Sequence, residues 1–249
     1  MNNWLKIVQQ LLAACLRLPC HCLLCLSSIK RDFGLCESCE QALPWLSADQ
    51  CRYCALPLLQ EGICDRCQYQ TPPYDKLQAL FEYQWPVDAF IGKLKYNAQL
   101  SFAKILGKLL AMHLTPLTPV DCIVAMPLAP DRQRERGYNQ SILLAEEVAK
   151  IQQIKLDRWS CIRKINTSSQ ATLSASKRAS NITENAFAIS RQFNAQHVLV
   201  IDDVVTTGST VKAFTLALKN AGVKTVEVWA CCRTGLTKKI LRCGSNAGF

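Results

Sequence analysis

Apolar residues fall into strand-like and helix-like patterns along the chain after residue 73. Five segments are short apolar or alternating runs of the kind found in strands: residues 77–83, 121–126, 186–190, 198–201 and 225–231. Helical spacing fills most of the intervals between them. Strands that alternate with helices predict an α/β fold with a mostly parallel sheet flanked by helices. In such folds ligands bind at the carboxyl ends of the strands.

Two of the helical segments also carry candidate chemistry. Residues 90–112 have helical apolar spacing with lysines along them, and Lys95-Tyr96 could reach a phosphate. A solvated helix face is the favoured explanation for this pair. Residues 141–151 form a second amphipathic pattern, and Asn139 is a suitable N-cap for it.

The apolar spacing of residues 1–19 predicts a short amphipathic helix. An export signal is the alternative, but Gln9 and Gln10 interrupt its apolar region and only Lys6 supplies positive charge. No run in the sequence reaches the roughly 18 apolar residues of a membrane span. We therefore expect a cytoplasmic protein whose thiols are reduced.

Residues 20–70 hold four C-x-x-C pairs, which use eight of the chain's 15 cysteines. The pairs are Cys22/Cys25, Cys36/Cys39, Cys51/Cys54 and Cys64/Cys67. Each pair can turn two thiolates toward one tetrahedral ion, and the intervals of ten and nine residues suit β-hairpins. Four pairs predict a double zinc ribbon with two structural Zn²⁺ sites, paired either sequentially or in an interleaved order. Disulfides or a redox dithiol are less favoured, since four regular pairs exceed what a redox motif needs.

A proline-containing linker and changes in composition divide the chain into predicted domains. Thr71-Pro72-Pro73 is typical of a linker. The predicted segments are the N-terminal helix (1–19), the double zinc ribbon (20–70), a larger α/β domain (74–235) and a basic tail (236–249).

The formal net charge of +10 is unevenly distributed. Residues 71–249 hold 23 Lys and Arg against 13 Asp and Glu, whereas residues 1–70 hold six of each kind. This excess suits a polyanionic ligand such as a pyrophosphate ester or a nucleic acid. A generic basic surface would look the same, so charge alone does not decide between them.

Residues 198–211, V-L-V-I-D-D-V-V-T-T-G-S-T-V, combine a buried strand, an acid pair and a hydroxyl-rich turn. A helical pattern follows, so the turn lies at a helix N-terminus, where free N–H groups and the helix dipole favour phosphate. Gly208 lets the backbone come close to a ligand. The hydroxyl donors of the turn are Thr206, Thr207, Ser209 and Thr210. Asp202 and Asp203, placed where the strand would end, suit the hydroxyls of a ribose.

This stretch resembles the 5-phosphoribosyl-1-pyrophosphate (PRPP) motif of type I phosphoribosyltransferases. That motif has four apolar residues, two acids, two apolar residues and then T-T-G-x-T, and every position matches. The resemblance implies a type I phosphoribosyltransferase-like sheet in which Asp202 and Asp203 are catalytic residues that orient the ribose. It also implies that residues 206–210 hold the 5-phosphate and that Mg²⁺ bridges the pyrophosphate oxygens. No general base is obvious in the sequence.

A basic segment follows the strand at residues 121–126. Residues 130–140 are P-D-R-Q-R-E-R-G-Y-N-Q, and we expect their three alternate arginines to form a basic loop able to grip phosphate. A strand ending in proline, followed by R-x-R-G-Y-N-Q and a helix, is similar to the ComF family, the competence-associated proteins also called ComFC, with their GntX branch. The resemblance implies pyrophosphate contacts for Met126, Pro127 and Leu128. Salt bridges that only support the fold are the alternative role for the arginines.

Residues 163–183 contain no acid and are rich in Ser, Thr and Ala, as expected of a mobile cover. In type I phosphoribosyltransferases the corresponding segment closes over PRPP, which implies phosphate binding by Arg163. Family members often have a second basic residue shortly after this arginine. Here Ile165 and Asn166 occupy that position, and Lys164 is the candidate to compensate. An ordinary polar loop is the alternative.

Two functions are compatible with these features. The first is transfer of a phosphoribosyl group from PRPP to an acceptor that the sequence does not identify. The second is a non-catalytic module that binds PRPP, nucleotide phosphates or single-stranded DNA. The ComF resemblance implies a role in DNA uptake or in the use of DNA as a nutrient, with single-stranded DNA and DNA-uptake proteins as candidate partners.

Overall fold

A computed structural model describes the chain at residues 20–29, 33–60, 62–164 and 186–234. The predicted N-terminal helix, most of the predicted cover and the basic tail lie outside the described residues. The chain forms two compact units, residues 1–43 and 44–249. The predicted domain boundary near residues 71–73 stays a prediction.

The described part of the first unit contains little regular structure. Strands β1 (Cys20–His21) and β2 (Ser28–Ile29) pair in antiparallel fashion, and helix α1 spans Glu37–Gln41. Leu35 and Leu43 are buried. A unit of this size holds too small a core to fold on apolar burial alone, so a metal site is the expected source of its stability.

A five-stranded sheet forms the centre of the second unit. The strands of this unit are β3 (Lys76–Glu82), β4 (Cys122–Ala125), β5 (Leu156–Asp157), β6 (Cys161–Arg163), β7 (Phe187–Ile189), β8 (His197–Val205) and β9 (Thr225–Arg233). The sheet has the order β3-β9-β8-β4-β5, and every neighbouring pair in it is parallel. The predicted α/β fold with a mostly parallel sheet is confirmed.

The described residues of this unit also form six helices. Their bounds are α2 (Asp65–Tyr69), α3 (Val87–Tyr96), α4 (Ser101–His113), α5 (Pro130–Arg136), α6 (Gln140–Gln152) and α7 (Ser209–Asn220). On β8, Val198 and Val200 belong to the core that contains Phe214 of α7. Because side chains alternate along a strand, Leu199 and Ile201 point to the other face, where α6 packs with α4. Within the described residues, no helix has the length and apolarity that a membrane crossing requires.

The prediction that residues 186–190 add a strand to the main sheet is wrong. Strand β7 pairs with β6 in antiparallel fashion, and β5 takes the fifth place in the sheet. The ring of Phe187 packs against that of Phe214, with 4.9 Å between their centroids. The apolar side of β7 is therefore covered by α7, and β7 needs no place in the sheet.

The helical pattern of residues 90–112 belongs to two helices. Helix α3 ends at Tyr96 and α4 begins at Ser101. Between them Ala98 has a φ of 51°, a left-handed conformation that cannot continue a right-handed helix. The break places Lys95 in the last turn of α3, next to the carboxyl end of the sheet.

Candidate functional site

A cavity of about 360 Å³ opens at the carboxyl ends of β4 and β8. It is lined by nine of the ten residues predicted to contact PRPP: Pro127, Leu128, Arg163, Asp202, Asp203, Thr206, Gly208, Ser209 and Thr210. The carboxyl ends of adjacent parallel strands are where α/β folds bind their ligands. The fold thus brings three separate segments of the chain, at residues 127–128, 163 and 202–210, to one place.

The acid pair lies inside β8 rather than after it. The expected strand ends at residue 201, but β8 continues to Val205, with Asp202 opposite Ala230 of β9. Asp202 is 8% exposed and Asp203 is 4% exposed. Because the ladder to β9 runs past both acids, their backbone is fixed by the sheet.

Buried carboxylates need hydrogen-bond partners, and the first turn of α6 supplies them. Ser141 Oγ donates to Asp202 Oδ1 over 3.3 Å, and Gln140 Nε2 donates to Asp203 Oδ1 over 3.2 Å. The backbone N–H of Asp203 also donates to Asp202 Oδ1, at 2.9 Å. Gln140, the last residue of the R-G-Y-N-Q segment, and the next residue, Ser141, therefore contact the acid pair directly.

Burial and the neighbouring charge of Asp203 raise the pKa of Asp202 to about 8. In the free protein Asp202 therefore keeps its proton near neutral pH. A carboxyl group tuned to this range can exchange a proton with a bound hydroxyl group.

Lys95 forms an ion pair with Asp203, in which Nζ contacts Oδ2. Burial by itself lowers the pKa of Lys95, but the charge and hydrogen bond of Asp203 raise it above its ordinary value. The side chain is 20% exposed, so the favoured explanation of a solvated helix face is wrong for Lys95. The end of α3 is held in place because Tyr138 Oη donates a hydrogen bond to Leu94 O.

Asn139 caps α6 as predicted, and it also holds the loop after β4. Its Oδ1 accepts a hydrogen bond from Ser141 N at 2.9 Å, and its Nδ2 donates to Met126 O at 2.9 Å. Met126 N donates in turn to Ile201 O of β8. The loop that carries Pro127 is thus fastened beside the acid pair.

Residues 206–210 form a turn at the N-terminus of α7. Gly208 is the N-cap and has a φ of 77°, a left-handed value that favours glycine. The helix has no acidic residue in its first turn, so no carboxylate of that turn competes with an anion for the positive end of its dipole. Ser209 and Thr210 line the cavity at this point.

Among the predicted ligand residues, Thr207 does not line this cavity. Its Oγ1 lies 2.8 Å from Ser209 Oγ and accepts a hydrogen bond from Ser209 N at 3.3 Å. Thr207 lines a smaller cavity beside Cys54 and Cys67 instead. Its contacts support the shape of the turn.

The predicted basic loop is helix α5, because Pro130 starts a helical turn directly after the strand-end segment. Residues four apart lie on one side of a helix, and Arg132 and Arg136 both line the cavity. Arg134 lies on the other side, where it is 77% exposed and pairs with Asp131. The three arginines therefore do not act together.

Arg163 reaches the cavity from strand β6. Its guanidinium lies 5.5 Å from the centroid of the Phe187 ring. Burial, and then the charge of Arg132, lower the pKa of Arg163. Two cations that converge on one space favour an anion between them.

The cavity residues that were not among the predicted site residues include Tyr83, Lys95, Gln140 and Ser141. A signal for the last two exists in the sequence, because they directly follow the N-cap of a helix that starts at the carboxyl end of a strand. Lys95 carries no such signal, since the apolar pattern does not show the break at Ala98.

The eight predicted metal ligands form two clusters: Cys22, Cys25, Cys36 and Cys39, and Cys51, Cys54, Cys64 and Cys67. Pairing is therefore sequential, and none of the eight forms a disulfide. In each cluster all sulfur atoms lie within 4.8 Å of one another. The Cys25–Cys36 and Cys54–Cys64 Sγ separations are 3.7 and 3.6 Å. A tetrahedron with Zn–S bonds of about 2.3 Å has edges of about 3.8 Å, so both clusters fit structural Zn²⁺.

In the second cluster the contacts of Cys51 favour its thiolate form, whereas the hydrogen bond with Cys51 raises the pKa of Cys54. A hydrogen bond from the Cys54 thiol lowers the pKa of Cys51 to about 4. The backbone N–H of Cys64 donates to Cys51 Sγ at 3.3 Å. Such contacts stabilise the thiolate form that binds metal.

The sequence matches two described domain families. Residues 139–239 match the phosphoribosyl transferase domain, and residues 13–68 match the double zinc ribbon domain. With the parallel sheet and its acid pair, these matches define a phosphoribosyltransferase-type α/β protein that carries an N-terminal double zinc ribbon.

Several bacterial proteins are similar to this chain over most of its length. The DNA utilization protein YhgH of Escherichia coli strain K12 is 33% identical over 88% of this chain and 99% of its own. Competence protein F of Haemophilus influenzae is 31% identical, over 80% and 90% of the two chains. Competence protein ComFC of Streptococcus pneumoniae is 25% identical, over 81% and 89%. The chain belongs to the ComF family.

Proposed function

We propose that the cavity binds PRPP and that the protein transfers the phosphoribosyl group to an acceptor. One observation carries this proposal: a buried acid pair and a helix N-terminus share one cavity. The acid pair suits sugar hydroxyls, and the helix N-terminus suits a phosphate. They lie on consecutive segments, β8 and α7, as a ribose and its 5-phosphate require.

In this arrangement the turn at residues 206–210 holds the 5-phosphate, and Asp202 and Asp203 accept hydrogen bonds from the ribose hydroxyls. Hydrogen bonds to an ionised carboxylate favour that form. Ligand binding is therefore expected to lower the pKa of Asp202 and to release its proton.

The pyrophosphate would lie between the loop at Pro127 and the cations of Arg132, Arg136 and Arg163, which all line the cavity. Arginine can hold phosphate oxygens through two parallel hydrogen bonds. Mg²⁺ prefers oxygen ligands and, when bound with PRPP, would neutralise part of the pyrophosphate charge.

Transfer breaks the bond between C1 of the ribose and the pyrophosphate oxygen, and the electron pair leaves with pyrophosphate. A lone pair of the acceptor forms the new bond to C1, and the acceptor releases a proton to water. Positive charge develops on the ring during this exchange. The carboxylates of Asp202 and Asp203 stabilise that charge, because they are held in place before the reaction begins.

The names of the relatives support a role in DNA uptake or in the use of DNA as a nutrient. We place this role in the cytoplasm, where cysteines stay reduced and can hold zinc. Products of DNA breakdown are then candidate sources of an acceptor, and DNA-uptake proteins are candidate partners.

A second candidate function is a non-catalytic module that binds single-stranded DNA. The excess of basic residues in 71–249 favours it. DNA affinity that falls steeply with salt would support this function, because each phosphate contact releases counterions. DNA affinity that does not change with salt, or no DNA binding at all, would rule out this second function.

Pyrophosphate release separates transfer from binding alone. The protein would be incubated with PRPP, Mg²⁺ and a panel of nucleobases, with the Asp202→Asn/Asp203→Asn double variant as the control. We expect release with at least one acceptor and none from the control. Saturable PRPP binding without release for any acceptor would contradict transfer and leave a binding module.

A further inference from the structure

Arg233, the last residue of β9, connects the second cysteine cluster to the turn that begins α7. The residue is 6% exposed. Its Nε donates to Cys54 O at 2.7 Å, and its Nη1 donates to Val205 O at 3.1 Å. Nη1 also contacts Thr206 O. One guanidinium therefore binds the backbone of a metal ligand and the backbone of the proposed phosphate turn.

The shape of the guanidinium makes this connection stiff. Buried carbonyl groups need donors, and arginine presents its N–H groups in a rigid planar fork. A shift of the Cys54 carbonyl must therefore move either Arg233 or the turn at residues 205–206. Lysine keeps the charge but cannot reproduce the fork.

Apolar packing joins the same two regions. Ala55 is fully buried in the core that also contains Tyr74 and Val205. Tyr74 Oη lies 3.6 Å from the position that a Cβ on Gly208 would occupy. The space that remains is a cavity of about 20 Å³, lined by residues that include Cys54, Cys67, Thr207 and Arg233. Close packing of this kind transmits displacement.

A bound metal would fix the position of Cys54. In the described structure the knuckle closes on itself through hydrogen bonds from Ala55 N to Cys51 O, at 2.9 Å, and from Cys51 N to Leu56 O, at 2.7 Å. A single turn of this kind is weak, and zinc-binding modules commonly lose their fold with the metal. Loss of metal would therefore release the carbonyl that Arg233 holds.

We propose that metal occupancy of the second cysteine cluster sets the shape of the turn at residues 206–210 through Arg233. The turn is then competent to hold a phosphate group only when this cluster is loaded. The nature of the ligand rests on the proposed function. The coupling between cluster and turn does not depend on it.

Hydrogen–deuterium exchange tests the coupling without any ligand. In Arg233→Lys, and in protein stripped of zinc, we expect amides of residues 205–212 to exchange about tenfold faster. Arg66→Lys is the matched control, because Arg66 lines the same small cavity but is exposed. It should exchange like the unaltered protein. Unchanged exchange in both Arg233→Lys and the zinc-stripped protein would overturn the proposal.

Cysteine variants separate this effect from a general loss of stability. Cys54→Ser removes a ligand of the second cluster, and Cys39→Ser removes one from the first cluster, which lies in the other compact unit. We expect only Cys54→Ser to accelerate exchange in the turn. Equal acceleration by both variants would contradict the proposal. If Cys54→Ser does not fold, hydrogen–deuterium exchange of Arg233→Lys still tests the coupling.

Coupling between two sites is reciprocal, which gives a second readout. PRPP with Mg²⁺ should slow the release of one of the two zinc ions to a chelator by about tenfold, and Arg233→Lys should abolish the slowing. If the unaltered protein binds no PRPP, the proposed ligand is wrong and the exchange test still decides the coupling. If it binds PRPP equally well with the second cluster empty, the coupling is wrong.

Discussion

Asp202 is buried beside a second carboxylate, an arrangement that costs stability in the free protein. Ser141 and Gln140 offset part of the cost through hydrogen bonds, and Lys95 offsets part of it through its ion pair with Asp203. Strain of this kind is common where a site is built for a ligand and not for the folded state alone.

The Asp202→Asn variant is expected to make the free protein more stable above pH 8. The folded-state pKa of Asp202 lies above its unfolded value, so its contribution to stability is complete below the unfolded pKa. That contribution is lost as pH rises through the folded pKa of about 8. Asn does not ionise, so the variant keeps its stability as the pH rises. Its free energy of unfolding should exceed that of the unaltered protein by roughly 1–2 kcal/mol.

Thermal unfolding of both proteins at pH 5 and pH 9 checks this expectation. The difference in melting temperature should favour the variant more strongly at the higher pH, while PRPP affinity falls. A difference that is the same at both pH values would contradict the raised pKa of Asp202.

At the scale of elements, the helical geometry of α5 determines which of its arginines face the cavity and can contact a ligand. An extended strand would place residues 132, 134 and 136 on one side. The helix instead separates Arg134 from the other two, and only Arg132 and Arg136 reach the cavity.

Arg132→Ala is therefore expected to weaken PRPP binding, whereas Arg134→Ala should leave it nearly unchanged. A charge-assisted hydrogen bond to phosphate contributes about 1.5–3 kcal/mol, which corresponds to a loss in affinity of at least about tenfold. Arg134 carries the same charge two residues away and is the matched control. Equal losses in calorimetric titrations of both variants would show that only overall charge matters, and would contradict this role of α5.

Sequence patterns predict which strands and helices form this site more accurately than they predict where each one begins and ends. The strand–acid–turn–helix order of residues 198–211 is local, so it was predictable, as was the Asn139 cap. The continuation of β8 through the acids depends on pairing with β9, which the pattern does not contain. The apolar pattern does not show the helix break at Ala98, and for this reason it favours a solvated face for Lys95.

At the scale of the whole molecule, the two cysteine clusters fall in different compact units. Cysteine spacing predicts each knuckle because its ligands are close in sequence. It cannot predict that the second knuckle packs against the sheet, where Leu46 N donates to Leu80 O at 2.7 Å and Leu77 N donates to Arg52 O at 2.9 Å. The second ribbon is in this way a part of the α/β unit.

Metal analysis of the purified protein is expected to give two zinc ions per chain, one for each cluster. Replacing one cysteine in either cluster should reduce the content by one ion, because three thiolates leave the tetrahedral shell incomplete. A content below one ion per chain in the unaltered protein would refute the double site.

Titration of the protein with PRPP and Mg²⁺, followed by calorimetry, tests the central claim most directly. The comparison is between the unaltered protein and the Asp202→Asn/Asp203→Asn variant, with Arg134→Ala as a control for charge. We predict saturable binding to the unaltered protein and to Arg134→Ala, and a loss of at least about a hundredfold in the double variant, since each acid is expected to lose a charge-assisted hydrogen bond. Equal binding by all three proteins, or no binding by any of them, would contradict a PRPP site at the end of β8.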